Sequence, residues 1–316
     1  MILIFCGTPR FAVPTLEALV GAGYSVPLAV TQPDRPRGRG MELAASPVKE
    51  SAIRLGIPVA QPPTIRNNLE FRAQLEALRP DAIIVVGYGR IIPQWMIDLP
   101  RLGNLNLHAS LLPKYRGAAP IQWAIARGES ITGVTTMRID AGLDTGDILL
   151  QHQVPISPDD TSETLAPKLA AIGAALMVET LTGLESGHVT PVAQDHVLAT
   201  LAPILTKEDG RMDFSRTAPD LLNRMRGFRP WPGAFTTFRG KNLQVHHAES
   251  GHAPGEAGPG VLTLVGHHLF VGCAAGTALD LTEIQPDGKR RMSAQEFVNG
   301  YRLTPGERLG DPISAK

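Results

Sequence analysis

The sequence predicts an α/β protein in two parts. Residues 1–204 form a mostly parallel sheet flanked by helices, and residues 205–316 form a smaller β-barrel. Three observations carry this prediction. Continuous apolar runs, ILIFC at 2–6 and AIIVV within 81–86, read as strands buried on both faces. Helical stretches alternate with such strands, the pattern of β–α–β crossovers. Past residue 205 the chain changes to five short segments, FTTFR, NLQVHHAES, GVLTLV, HLFVGC and ALDLTEI, with Gly or Pro between most of them.

The first strand, 2–6, stops at Gly7, and Thr8 can cap a helix over 9–22 that has Pro9 in its first turn. A second strand follows at 26–31. This strand–turn–helix–strand start opens a Rossmann-like sheet, without the GxGxxG or GxxxxGK[ST] loops that bind dinucleotides or nucleotide phosphates. Residues 32–46, QPDRPRGRGMELAAS, form a loop long enough to be functional. Its Arg35, Arg37 and Arg39 alternate with Pro and Gly, which fits either a solvated surface or a loop that enters the groove of a polyanion. A helix at 47–55, a short strand at 57–60 and an amphipathic helix at 68–78 lead to the strand 81–86. Gly87 and Gly89 then let backbone approach a ligand at a carboxyl-terminal strand edge. The next strand, 104–107, delivers His108. AAPIQWAIA is helical, 131–138 is a strand, 148–154 is extended, and 161–184 is a long helix after a cap in SPDDT. Residues 183–203 show no periodicity and read as a connector. A helix within 213–225 precedes the five strands, which fit an OB-like barrel.

Composition is that of an ordinary globular protein, with 43% hydrophobic and 19% charged residues. Residues 1–204 hold 16 basic and 18 acidic residues, and 205–316 hold 14 and 12, a split from −2 to +2 that by itself excludes no class of partner. Local clusters say more. Residues 224–241 carry five basic residues and no acidic one, and Lys289, Arg290 and Arg291 are consecutive. Such patches meet phosphates or simply face water. Two distant cysteines, Cys6 and Cys273, indicate no disulfide framework and fit a reducing cytoplasm. The opening apolar run is too short for a signal peptide or a membrane span.

The chemistry concentrates in NLNLHASLLPKYRGAAPIQ at 104–122 and DAGLDTGD at 140–147. Asn104, Asn106 and His108 alternate with Leu105 and Leu107, so an extended segment places the polar groups on one face. An amide, an imidazole and a carboxylate at a strand edge suit attack on a carbonyl, because the first two can donate to a developing oxyanion and the third can take a proton. His108, Asp140 and Asp144 have no metal-site spacing. Ser110 beside His108 admits a hydrolase, though the GxSxG elbow is missing. A satisfied core histidine is the plain alternative for His108.

These residues make the chain resemble the folate-dependent formyltransferases, whose superfamily signature is SLLP, here Ser110, Leu111, Leu112 and Pro113. IFCGTPRFAVPTL, TQPDRPRGRG with SPVK, VVGYGRIIP, ILTKEDGRMDFS, RPWPGAF and GKRRMSAQEFVNGYRL extend the resemblance in order through most of the chain. It implies a Rossmann-like formyltransferase domain at 1–204 with its linker, and an OB-like tRNA-binding domain at 205–316. The implied reaction transfers the formyl group of 10-formyltetrahydrofolate, a co-substrate, to the α-amine of methionine on initiator tRNA for translation initiation, with no metal. By motif match Asn106, His108 and Asp144 take the catalytic positions. Asn106 and His108 would stabilise the oxyanion, while Asp144 would hold the imidazole and assist proton removal through water. Val86, Gly87, Tyr88, Gly89, Ile91, Ser110, Leu111, Leu112, Pro113, Asp140 and Asp144 match folate-binding positions. Arg35, Arg37 and Arg39 match a tRNA-facing insertion, with Arg39 at the acceptor stem. Arg226, Arg229, Lys289, Arg290 and Arg291 lie on the basic face of the barrel that would meet tRNA. A cytoplasmic monomer without membrane contact is expected.

The chain departs from the family pattern in two places, a loop segment and a single residue. Met41 and Glu42 stand where lysines often continue the loop, and Arg10 replaces an acidic residue common after GTP. The rival readings are a formyltransferase for an amino-sugar nucleotide, which the Arg-rich loop with SPVK and the DTG at 144–146 disfavour, and one for glycinamide ribonucleotide, disfavoured by the extra domain. A non-catalytic RNA-binding relative is disfavoured by the intact Asn106, His108 and Asp144.

Overall fold

The structure, a computed structural model, describes residues 1–37, 42–252 and 257–310. Arg39 and Met41 lie outside the described residues, as do the side chains of Arg37 and Glu42. Contacts group the chain into two compact units. The first comprises 1–120, 131–155 and 164–203, and the second comprises 121–130, 156–163 and 204–316.

In the first unit β1 (Ile2–Gly7) is buried from Leu3 onward, as its unbroken apolar run requires. A 3₁₀ turn and α1 (Val13–Gly21) follow, then β2 (Ser25–Val30). The helix expected from residue 9 therefore starts later. Pro14 falls in its first turn, where its missing N–H costs nothing. Thr8 is not its cap: the Thr8 hydroxyl donates to the Tyr88 carbonyl at 3.2 Å. The long loop folds back on itself, with β3 (Arg35–Arg37) antiparallel to β4 (Glu42–Ala44). Then come α2 (Pro47–Arg54), β5 (Val59–Ala60), α3 (Leu69–Leu78), β6 (Ala82–Val86) and the short α4 (Gln94–Ile97). Ser46 and Asn68 cap α2 and α3 by accepting the N–H of Lys49 and Phe71.

β7 (Asn104–His108), α5 (Pro120–Ala126), β8 (Ile131–Arg138), β9 (Ile148–Pro155) and α6 (Ser162–Glu185) follow. The seven-stranded sheet has the order β5–β2–β1–β6–β7–β8–β9. It is parallel through β7, and β8 and β9 add antiparallel strands. The parallel strands point their carboxyl ends the same way, so the residues after β6 and β7 share one edge. α6, the long helix expected at 161–184, is long and apolar enough to cross a membrane by length and composition. Leu165, Leu169, Met177 and Leu181 on it are fully buried in the fold.

The second unit holds most of α5 and, past residue 204, α7 (Ala218–Gly227), capped by Thr217. β10 (Ala234–Phe238), β11 (Lys241–Gly251), β12 (Leu262–Val265), β13 (His268–Gly272) and β14 (Ala278–Pro286) are the five expected strands. All pair antiparallel in the order β10–β11–β14–β13–β12, and the short β15 (Met292–Ser293) pairs with β14. Leu309 bridges Phe238 at the end of β10 and Arg308 bridges Val261 just before β12, so one short segment reaches both outer strands. α8 (Ala294–Tyr301) packs Phe297 on Phe238 with ring centroids 5.1 Å apart. A Ser293/Glu296 capping box starts this helix.

Candidate active site

β7 delivers the first groups. Leu105 and Leu107 are buried in the core, and the polar residues between them have separate fates. Asn104 is structural: its Nδ2 donates to the carbonyls of Met96 and Ile97 at 2.8 and 3.1 Å, pinning α4. Asn106 is half-buried, and its amide makes no hydrogen bond among the described residues. His108, opposite Thr135 on β8, is 6% exposed. Its Nε2 lies 2.9 Å from the Tyr115 carbonyl. A carbonyl only accepts, so the proton sits on Nε2 and Nδ1 is the nitrogen left for chemistry.

Residues 109–117 wrap around this imidazole. The Ser110 hydroxyl, fully buried, donates to the Lys114 carbonyl at 2.6 Å, which removes it as a nucleophile paired with His108. Thr135 ties the segment to β8: its hydroxyl donates to the Ser110 carbonyl at 2.6 Å and accepts from the Leu112 N–H at 3.2 Å. Tyr115 has φ 62°, a left-handed conformation that costs a non-glycine residue about 1–2 kcal/mol. Its N–H is held by the Thr200 hydroxyl at 2.9 Å and its carbonyl by His108.

The loop between β8 and β9 supplies two carboxylates with different employment. Asp140 accepts from the Thr145 hydroxyl at 2.7 Å and from the Gly142 N–H at 3.0 Å, so its charge stabilises the loop. Asp144 has φ 51° and turns its side chain toward β7. Its Oδ2 accepts from the Gly117 N–H at 2.8 Å and lies 3.7 Å from His108 Nδ1. That second distance is longer than a hydrogen bond and within the range of an ion pair. Gly146 is required here, because a Cβ would run into the Arg138 carbonyl oxygen.

Gln194 completes the site from the segment read as a mere connector. Buried, it donates to the carbonyls of Asp144 and Gly146 at 2.9 and 2.7 Å and accepts from Arg116. No periodicity surrounds it, so no local pattern marked it.

Of the positions matched to folate binding, Val86 is buried at the end of β6, and Gly87 and Gly89 turn the chain with φ 55° and 74°. Tyr88 is buried, and its phenol is pushed well above the usual range by burial. The Tyr88 and Gly89 carbonyls are pinned by Gln32 Nε2 at 2.9 and 3.2 Å. Ile91 is 93% exposed, and Leu143 in the neighbouring aspartate loop is 64% exposed. Leu112 is buried, and Gln151 Nε2 holds its carbonyl at 2.8 Å. Pro113 gives its carbonyl to the Thr200 N–H, and Gly133 leaves room for the side chain of Leu111.

The basic residues divide similarly. Arg35 is exposed and donates to Gln32 Oε1. Arg226 is half-buried; it donates to the carbonyls of Asp160 at 2.8 Å and Ser157 at 3.3 Å, and burial lowers its guanidinium pKa. Arg290 pairs with Glu296 and Arg291 with Glu283. Arg229 and Lys289 are exposed, with no side-chain partner among the described residues. In the second unit a cleft of about 990 Å³ carries Lys207, Arg229 and Arg291 on its lining, with Asp159 and Glu249 interspersed.

Known proteins match along nearly the whole chain. The family described as Formyl transferase matches residues 1–181, and Formyl transferase, C-terminal domain, matches 204–302. The methionyl-tRNA formyltransferase of Koribacter versatilis is 66% identical over 98% of this chain and 99% of that protein. That of Geobacter metallireducens is 47% identical over 98% of each. Among solved structures, the sugar 3N-formyl transferase WlaRD with dTDP and 5-N-formyl-THF aligns over 92% of this chain and 99% of its own, at TM-score 0.64 and 18% identity. An N-formyltransferase from Helicobacter canadensis, in complex with folinic acid and dTDP-3-aminofucose, aligns over 90% and 100% at TM-score 0.65 and 18% identity. At that identity the two structures speak for the fold, whereas the sequence matches speak for descent: the chain belongs to the formyl transferase family.

Proposed function

We propose that this chain transfers the formyl group of 10-formyltetrahydrofolate to the α-amine of methionyl-initiator tRNA, as a cytoplasmic monomer serving translation initiation. The observation that carries the chemistry is the meeting of Gly117 N–H and His108 Nδ1 at one oxygen of Asp144, beside the uncommitted amide of Asn106. The choice of amine acceptor rests on relatives of 46–66% identity over nearly full length that bear the name methionyl-tRNA formyltransferase.

The folate supplies the formyl group. Gly87 and Gly89 allow close backbone approach, and Ile91 and Leu143 each offer an exposed apolar surface suited to a flat heterocycle. The attacking amine forms a C–N bond as the formyl carbonyl gathers negative charge. Asn106 donates from its amide to that oxygen, and His108 donates from Nδ1 in its protonated form, since Nε2 is committed to Tyr115. Asp144 faces the imidazolium at 3.7 Å and receives, through water, the proton the amine must lose. The bond to the folate nitrogen then breaks, and that nitrogen takes up a proton. Preorganised donors of this kind contribute on the order of 10²–10³ in rate each.

For tRNA, the same reading assigns Arg35, Arg229 and Lys289 to phosphates, together with Arg37 and Arg39, which follow Arg35 in the sequence. Arg226 serves the fold, and Arg290 and Arg291 would have to exchange their carboxylate partners for phosphate. The test is incubation with 10-formyltetrahydrofolate and methionylated initiator tRNA, read by mass spectrometry for formyl-methionine. Absence of product, with a dTDP-amino sugar formylated instead, would overturn the assignment of the acceptor while keeping the chemistry.

A further inference from the structure

We infer that Gln194 is a positioning residue for formyl transfer, acting through Asp144; the inference rests on the catalytic reading of Asp144 above. Gln194 lies in the stretch between α6 and α7 and is 6% exposed. Its side chain is saturated. Nε2 spends both hydrogens on the carbonyls of Asp144 and Gly146, at 2.9 and 2.7 Å. Oε1 takes both Nε and Nη2 of Arg116, at 3.0 and 2.6 Å. An amide fits this place because one end must donate twice and the other accept twice.

The two ends of this amide reach the two segments that meet at the Asp144 carboxylate. One end holds the backbone of Asp144 in its left-handed conformation, φ 51°, and the backbone of Gly146 two residues on. Such a conformation persists where its surroundings over-determine it. The other end holds Arg116, whose neighbour Gly117 donates to Asp144 Oδ2. Gln194, Asp144, Gly117 and Arg116 thus form a closed ring of contacts. Arg116 is itself buried at 7% exposure and also meets His196 Nδ1 at 3.2 Å. Gln194 touches none of the reacting groups; it sets where Asp144 stands relative to His108.

The bland alternative is that Gln194 only fastens its own segment to Arg116. Gln194→Glu separates the two. It keeps an acceptor for Arg116, now charged, and turns the double donor into an oxygen facing two carbonyl oxygens. A fastening role survives that change and a positioning role does not. The positioning role predicts kcat reduced about 10- to 100-fold, KM for 10-formyltetrahydrofolate and for methionyl-tRNA within about twofold, and an unfolding midpoint within a few degrees of the parent. Because the effect travels through Asp144, adding Gln194→Glu to Asp144→Asn should cost less than about twofold more. Parental kcat in Gln194→Glu, or a full multiplicative loss on top of Asp144→Asn, overturns the inference. Gln194→Met, which removes both ends without adding charge, decides by the same readouts if Gln194→Glu does not fold. Full activity of Asp144→Asn alone would instead overturn the reading of Asp144.

Discussion

Gly117 donates its amide hydrogen to Oδ2 of Asp144 at 2.8 Å, and the same oxygen faces His108 Nδ1 at 3.7 Å. The carboxylate is anchored by a backbone donor, and Gln194 holds the two segments that bring donor and carboxylate together. Truncating Asp144 removes the group proposed as proton acceptor and leaves the folate-matched turn at 86–91 untouched. Asp144→Ala is expected to lower kcat by about 10²-fold or more and to change the folate dissociation constant by less than about threefold, measured by steady-state kinetics and fluorescence titration. Unchanged turnover would remove Asp144 from the mechanism.

Gly146 permits the loop to pass the Arg138 carbonyl, with the Asp147 carbonyl receiving the Arg138 N–H at 2.9 Å. Gly146→Ala forces the backbone aside within two residues of Asp144. Displacements of about 1 Å at a catalytic group can cost 10²-fold in rate. A fall in kcat far exceeding any loss of thermal stability is the expected result; normal kcat would show that the loop tolerates the shift.

Arg226 and Arg229 are three residues apart and should behave oppositely. Arg226 is committed to the Asp160 and Ser157 carbonyls, and hydrogen bonds from a charged group contribute about 1.5–3 kcal/mol. Arg226→Ala should lower the unfolding free energy by about that amount in urea titrations. Arg229→Ala should stay within about 0.5 kcal/mol of the parent. It should instead weaken tRNA binding and reduce the salt slope of the association constant, as loss of a phosphate contact requires. Equal stability losses in the two variants would contradict the division.

Asp81 gives a pH-dependent signature. Its Oδ2 accepts from the Ile2 N–H at 2.8 Å and its Oδ1 from Arg101 Nε at 2.7 Å. The Ile2 amide first, and then Arg101, hold its carboxyl below the ordinary range. A group depressed in the folded state stabilises it above the unfolded pKa of about 3.9, and that contribution is lost as pH falls through the folded value. Asp81→Asn should therefore be less stable than the parent at pH 7, and the two should converge below about pH 4. Denaturant titrations at pH 7, 4 and 3 would test this; a constant gap would exclude the linkage.

The buried strands were legible because a strand covered on both faces must be apolar throughout, as β1 and β6 are. Asn106 and His108 were legible through alternation and through the motif around them. Other features depend on partners distant in sequence. Nothing in DAGLDTGD distinguishes Asp140 from Asp144; the distinction comes from Thr145 closing on one and from Gly117, 27 residues away, donating to the other. Gln194 sits 50 residues from the carbonyl it holds, in a stretch with no period. The strands β3, Arg-Pro-Arg, and β4, Glu-Leu-Ala, have three residues each, too short for alternation to register. Thr8 carried a proper cap signal, and the tertiary demand of the Tyr88 carbonyl took its hydroxyl instead.

The chain passes between the two compact units five times, because 121–130 and 156–163 group with 204–316. Phe228 stacks edge-on against Trp123 with ring centroids 5.2 Å apart, and Arg224 lies over both rings. The carboxyl-terminal part is therefore not a cassette. A single crossover near residue 204 between two diverged genes would bring a foreign Phe228 to a resident Trp123, and only an exchange carrying all three stretches together inherits a matched set. Hybrids built by one splice should consequently be less fit than hybrids built by three, whichever relative donates.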